Sequence, residues 1–107
     1  MIEPDKAIEF IIANAKHFAQ AKAERVYIEE YRKSLKALLM QRSGETSIGA
    51  QERDAYAHQE YRDLLNGLKA AVEQEETLRW QLVAAQARID VYRTQAANAR
   101  QEVRATL

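Results

Sequence analysis

The side chains in this chain that could do chemistry fall into four groups: two histidines, a knot of glutamates, a file of arginines and five tyrosines. His17 and His58 stand in neither a His-Glu-x-x-His nor a Glu-x-x-His pattern, so the ligand spacing of a zinc or di-iron helical site is missing. Both are expected at the rim of a helix rather than on a metal. Glu73, Glu75 and Glu76 bring three carboxylates together. Such groups can divide acid and base roles when their surroundings split their pKa values. On a helix that faces Lys16, Lys22 and Arg25 the expected role is electrostatic instead, with Glu75 paired to Lys16 or His17 and fixing register. Arg79, Arg93 and Arg100 recur at heptad spacing, with Gln86 in the missing place and Arg88 and Arg104 on neighbouring edges. A guanidinium strip of this kind meets phosphates or an acidic protein surface; the plainer reading is the solvated flank of a coiled coil. Trp80 and Tyr92 could stack on bases, but a seam or interface role is expected of them. Tyr27, Tyr31, Tyr56, Tyr61 and Tyr92 follow helical faces, which suits core-edge packing with the hydroxyls at the rim. With no cysteine, no glycine-rich phosphate loop and no nucleophile elbow, no catalytic, cofactor-binding or metal-binding residue is assigned. The expected class is non-enzymatic.

The elements that must carry these groups are helices. Hydrophobic residues make up 47% of the sequence and charged residues 30%, with three glycines and one proline, which is the composition of long helices and coiled coils. The formal net charge is zero, so no global field draws the chain onto nucleic acid or an anionic membrane. No apolar run reaches the length of a membrane span, and the acidic start Met1-Ile2-Glu3-Pro4-Asp5 does not read as a signal peptide. The expected setting is soluble and cytoplasmic. One domain over residues 1–107 is expected: helix A over about 4–42, a turn over about 43–49 and helix B over about 50–105. Pro4 suits the first helical position, with Glu3, Asp5 and Glu9 at the positive end of the dipole. Ser43, Gly44, Thr46, Ser47 and Gly49 make the turn, and Ser47 is a plausible N-cap for helix B.

Helix B carries a heptad with Tyr61 at position a. It continues through Leu64, Leu68, Ala71, Glu75, Leu78, Leu82, Ala85, Ile89, Tyr92, Ala96, Ala99 and Val103, broken only by Glu75 and, at its end, Thr106. Helix A reads as two shorter seams, Ile8, Ile11, Ala15 and Phe18, then Ile28, Tyr31, Leu35 and Leu38. The ten-residue step between them predicts a kink or thin packing over residues 19–27. Folding the chain at about residue 46 sets Tyr31 opposite Tyr61, Ile28 opposite Leu64, Ala15 opposite Leu78 and Ile8 opposite Ala85. It also sets His17 near Glu75 or Glu76, and His58 near Ser34 or Leu35. Residues 16–42 carry seven basic and three acidic side chains against two and five in residues 55–78, so the paired stretches are complementary. The predicted fold is all-α, a long antiparallel helical hairpin of coiled-coil type.

Such a hairpin alone is incomplete. Helix B outruns helix A, leaving Ile89 to Val103 without a mate, and Phe10, Ile12, Val26, Leu39, Leu65, Val72, Trp80, Val83 and Val91 widen the apolar arc beyond a two-helix contact. A homodimer forming a helical bundle is expected. Its seam would be Leu78, Leu82, Ala85, Ile89, Tyr92, Ala96, Ala99 and Val103, with Arg79, Arg88, Tyr92, Arg93, Arg100 and Arg104 as the partner-binding set.

The run Ala50-Gln51-Glu52-Arg53-Asp54-Ala55-Tyr56-Ala57, followed by Tyr61, Leu64, Leu68 and Tyr92-Arg93-Thr94-Gln95-Ala96-Ala97, resembles small uncharacterised helical proteins of tailed phages and prophages over about residues 25–100. The resemblance implies a phage accessory protein in the bacterial cytoplasm, of a kind that serves DNA recombination or replication or blocks host defence. It carries over no functional residue. Three functions are expected in turn: an oligomeric protein-binding adaptor or inhibitor, a nucleic-acid-binding accessory factor, and a structural or assembly component.

Overall fold

A computed structural model describes residues Pro4 to Thr106. The acidic start at Met1, Ile2 and Glu3 lies outside the described residues. The chain is all-α, with α1 over Asp5–Arg42, α2 over Ile48–Ala57 and α3 over Gln59–Thr106. Among the described residues no helix is long and apolar enough to cross a membrane. The chain divides into two compact units, one of Met1–Ala19 with Glu76–Leu107 and the other of Gln20–Glu75. In each, a stretch of α1 and a stretch of α3 run side by side in opposite directions, as the hairpin reading requires.

Pro4 sits one residue ahead of its expected place. Its carbonyl accepts the Ile8 N–H at 2.9 Å, which makes Pro4 the cap and Asp5 the first helical residue. At the other end Ser43 closes the helix on Met40 (3.2 Å), and its hydroxyl accepts the Glu45 N–H while bonding Asp54 at 2.5 Å. Ser47 caps α2 as its position suggests, its hydroxyl accepting the Ala50 N–H at 3.2 Å.

The expected continuous helix B is interrupted. His58 is extended, at φ −69° and ψ 141°, and separates α2 from α3 without a glycine or proline. It serves both ends. Its N–H reaches the Ala55 carbonyl, its own carbonyl accepts from Tyr61 and Arg62, and its Nδ1 accepts the Glu60 N–H at 3.0 Å. An imidazole thus does the work usual for Ser or Asp. The bend lets Ala55, fully buried, and Tyr61 close on Leu35 and Leu39, with Met40 and Leu64 at the margin. Tyr56 meets Tyr61 edge-on at 5.3 Å.

Because α2 takes up ten residues as a helix of its own, the pairing in this unit differs from a simple fold at residue 46. Tyr61 packs with Leu35 and Leu39, and not opposite Tyr31, which stacks instead on Tyr27 at 6.1 Å along the surface of α1. His58 shares a shallow groove with Leu39, Arg42, Ser43 and Asp54, closer to the turn than Ser34.

The seam of α1 also departs from its sequence reading. α1 is helical without a break through residues 19–27. Its inward positions are Ala7, Ile11, Asn14, Phe18, Ala21, Arg25, Ile28, Leu35 and Leu39, all buried or half-buried, in steps of three and four except over the exposed Arg32. Ile8, Ala15, Tyr31 and Leu38, placed on the seam by their apolarity, are exposed. The missing heptad is filled by Ala21 and Arg25, so no phase skip arises. Asn14 can sit on the seam because its amide donates to the Phe10 carbonyl at 2.9 Å.

Gly67 lies within α3 with open space around its missing Cβ and no unusual backbone angle. Gly67→Ala is therefore expected to stabilise the chain by about 0.5–1 kcal/mol, read as a higher urea midpoint with an unchanged slope.

Candidate interaction surface

α3 keeps the heptad that its sequence announces. From Tyr61 to Ala99 every a and d position is buried or half-buried, and between them only Glu76 joins the sheltered set. Leu78, Leu82, Ala85, Ile89, Tyr92, Ala96 and Ala99 thus share one face; Val103, 57% exposed, continues it in sequence only. The cause is the 3.5-residue periodicity: side chains at steps of three and four stand above one another along a helix.

In the Gln20–Glu75 unit, Glu75 is 1% exposed on the seam. Its partner is Arg25 and neither Lys16 nor His17. Arg25 lies eight positions further along α1 than His17 and is the seam residue there. Nε of Arg25 donates to one carboxylate oxygen of Glu75 and Nη2 to the other at 3.2 Å, while Nη1 bonds Glu29 at 3.0 Å. Glu75 first, then Glu29, raises the guanidinium's pKa further above its already high value. A carboxylate gripped by a two-pronged guanidinium ties α1 to α3 at one register. Lys36 lies 4.8 Å over the Tyr56 ring and 3.4 Å from Glu52; Tyr56, then Glu52, raises the pKa of its ammonium. Arg42 reaches Glu60 at 3.1 Å. Of these pairs Arg25–Glu75 and Arg42–Glu60 join the two complementary stretches, while Glu52 lies ahead of the second, and the exposed pairs add little stability.

The other unit holds the arginines, and they do not form one strip. Arg79 pairs with Glu76 at 3.1 Å and lies 5.7 Å over the Phe18 ring. Arg88 lines a groove with Lys6, Ala7, Phe10, Ala84 and Ala85, which places the start of the described part of α1 beside it. Beyond it, α3 continues through Thr106 for about 27 Å at 1.5 Å per residue. Along this stretch Arg93 and Arg100 flank a shallow groove on α3 itself with Asp90, Thr94, Ala97 and Asn98. Arg104 is exposed in the last turn. Tyr92 belongs to the seam face rather than to the arginine edge. On another face, Trp80 is 65% exposed and so is not the seam residue it could have been, with Val83 and Val91 exposed on the same side at helical spacing.

Among the described residues no group of three metal-ligating side chains is assembled, and no buried side-chain polar atom lacks a partner. Sequence reasoning missed Ala7, Asn14 and Ala21 on the seam of α1 and named Arg25 only as one of three basic residues facing the glutamates, because small and polar seam residues carry no hydrophobic signal. No protein-family model matches the chain, and neither a curated protein nor a solved structure matches it.

Proposed function

We propose that this chain is a non-enzymatic, oligomeric helical adaptor or inhibitor that docks another protein through the distal half of α3. One observation carries the reading. The heptad of α3 runs on past Arg88, where the described part of α1 begins, with Ile89, Tyr92, Ala96 and Ala99 on one face and the exposed Arg93 and Arg100 along its edge. A continued seam bordered by charge is how coiled coils choose partners.

A second consideration is the shortage of core. Among the described residues the large buried apolar side chains are Leu35, Leu39 and Tyr61, while the other buried apolar positions are alanines. That is little to set against the conformational entropy of a chain of this length, and association supplies further burial. The resemblance to phage and prophage proteins makes an accessory protein acting in the bacterial cytoplasm the setting we propose. The guanidinium edge fits an acidic protein surface.

The test is affinity capture from the native host with the full chain and with Arg93→Glu plus Arg100→Glu. The wild type is expected to retain a specific acidic protein and the double variant to lose it. Equal recovery of the same protein by both would place recognition elsewhere. Titration with single- and double-stranded DNA at two salt concentrations separates the nucleic-acid alternative, which requires binding that weakens steeply with salt.

A further inference from the structure

We infer that the distal seam of α3 is the surface on which a second copy of this chain pairs, antiparallel, about a two-fold axis near Thr94. The inference rests on the interaction reading above and names an occupant for its seam. Two independent features of the sequence on this helix agree on one alignment.

The first is size. Beyond Arg88 the seam alternates in bulk, with Ile89 and Tyr92 followed by Ala96 and Ala99. In an antiparallel pair an a residue layers with a d residue of the other helix. Centring the pair on residue 94 layers Ile89 with Ala99 of the second copy and Tyr92 with its Ala96, and the two-fold axis repeats both layers. Every bulky side chain meets a small one, so knobs find holes without leaving voids. A parallel in-register pair would set Tyr92 on Tyr92 and Ala96 on Ala96, crowding one layer and hollowing the other.

The second is charge. The same antiparallel alignment brings Arg88, at position g, beside Glu102 of the second copy, and the symmetry makes that contact twice. Both side chains are exposed, and among the described residues neither has an ion-pair partner. The parallel alignment would instead bring Arg88 against Arg93, a repulsion repeated on both sides. The antiparallel alignment sets two attractions against one like-charged contact, Arg93 with Arg93 across the axis, whereas the parallel one sets two repulsions against no attraction in this stretch, and that balance decides the direction. Such an interface is isologous and closes, which suits a discrete dimer and not a filament. It also puts the e positions of both copies along the same groove, Arg93 near the axis and Arg100 further out on either side, doubling the basic edge offered to an acidic protein.

The experiment is sedimentation equilibrium of the full chain over a dilution series at low salt, with helicity checked by circular dichroism. The variants are Arg88→Glu, Glu102→Arg and the two combined. The wild type is expected to dimerise reversibly. Each single variant turns two attractions into two repulsions and weakens dimerisation about tenfold, and the combination returns it to within about threefold of wild type. A monomer at every concentration, single variants without effect, or tighter association of Arg88→Glu, which is the parallel signature, would each overturn the proposal. A monomeric chain that still loses its captured protein on Arg93→Glu plus Arg100→Glu would overturn self-pairing and leave the docking reading standing. A dimer that obeys the charge swap but keeps that protein with both arginines reversed supports self-pairing and removes the docking reading.

Discussion

Arg25→Leu is expected to lower the melting temperature by roughly 10 °C, a larger change than any exposed charge in the chain could produce. The reason lies with the residue left behind. Among the described residues Glu75 is the one polar side chain at a buried position, and its carboxylate oxygens both accept from Arg25. Removing the guanidinium takes its two-pronged donor from a carboxylate that is 1% exposed on the seam, after the cost of burying that carboxylate has already been incurred. Arg25→Lys keeps the charge but gives up the fork, and should recover only part of the loss. The combined Arg25→Leu and Glu75→Leu variant should recover most of it or exceed wild type, since an apolar pair of similar volume avoids the desolvation of both ions. Thermal melts followed by circular dichroism decide the matter. A single variant that melts with wild type would show that solvent reaches the carboxylate. A combined variant no better than the single would show that the pair contributes more than its own neutralisation.

The same pair explains why the two arms were not equally readable. In α3 the seam residues are mostly Leu, Ile, Tyr and Ala, so the heptad can be traced from apolarity alone, and the burial tracks it position by position to Ala99. In α1 the seam includes Asn14 and Arg25, whose polar groups are satisfied within the fold, and alanines that read as neutral. The eye therefore moves to the nearest large apolar residues, Ile8, Tyr31 and Leu38, one position off at Ile8 and Leu38 and three beyond Ile28 at Tyr31. The apparent phase skip over residues 19–27 arises because Ala21 and Arg25, which carry the seam from Phe18 to Ile28, give no apolar signal. The break at His58 was hidden for a related reason. Helix ends are announced by Gly, Pro, Ser or Asp, whereas here an imidazole accepts the Glu60 N–H. The off-seam apolar residues Ile12, Val26, Leu65, Val72, Trp80, Val83 and Val91 were legible and are exposed, while Leu39 from the same set is buried and Phe10 half-buried. Of the arginine set, spacing gave the edge but not the contact of Arg79 with the Phe18 ring, which depends on α1 lying alongside, whereas its pair with Glu76 is a local i,i+3 contact of α3.

The phase of α1 can be tested directly by paired truncations. Leu39 is 3% exposed and packs with Leu35, Ala55 and Tyr61, whereas its neighbour Leu38 is 42% exposed. Leu39→Ala removes several buried methyl and methylene groups and opens a cavity that the short α2 can only partly fill, a cost of about 3 kcal/mol. Leu38→Ala removes the same atoms from a largely wetted position and should cost less than about 1 kcal/mol. The inequality is what matters: the apolar pattern read alone ranks Leu38 as the seam residue and predicts the reverse order. Chemical denaturation of both variants measures it. Because Leu39 shares its cluster with Ala55 of α2, Leu39→Ala should also raise amide exchange over residues 48–57 before the rest of the chain, whereas Leu38→Ala should leave that stretch as protected as in wild type. Equal losses from the two truncations would mean that α1 turns its other edge inward, and the pairing of Arg25 with Glu75 would then have to be abandoned as well, since both residues owe their contact to this phase.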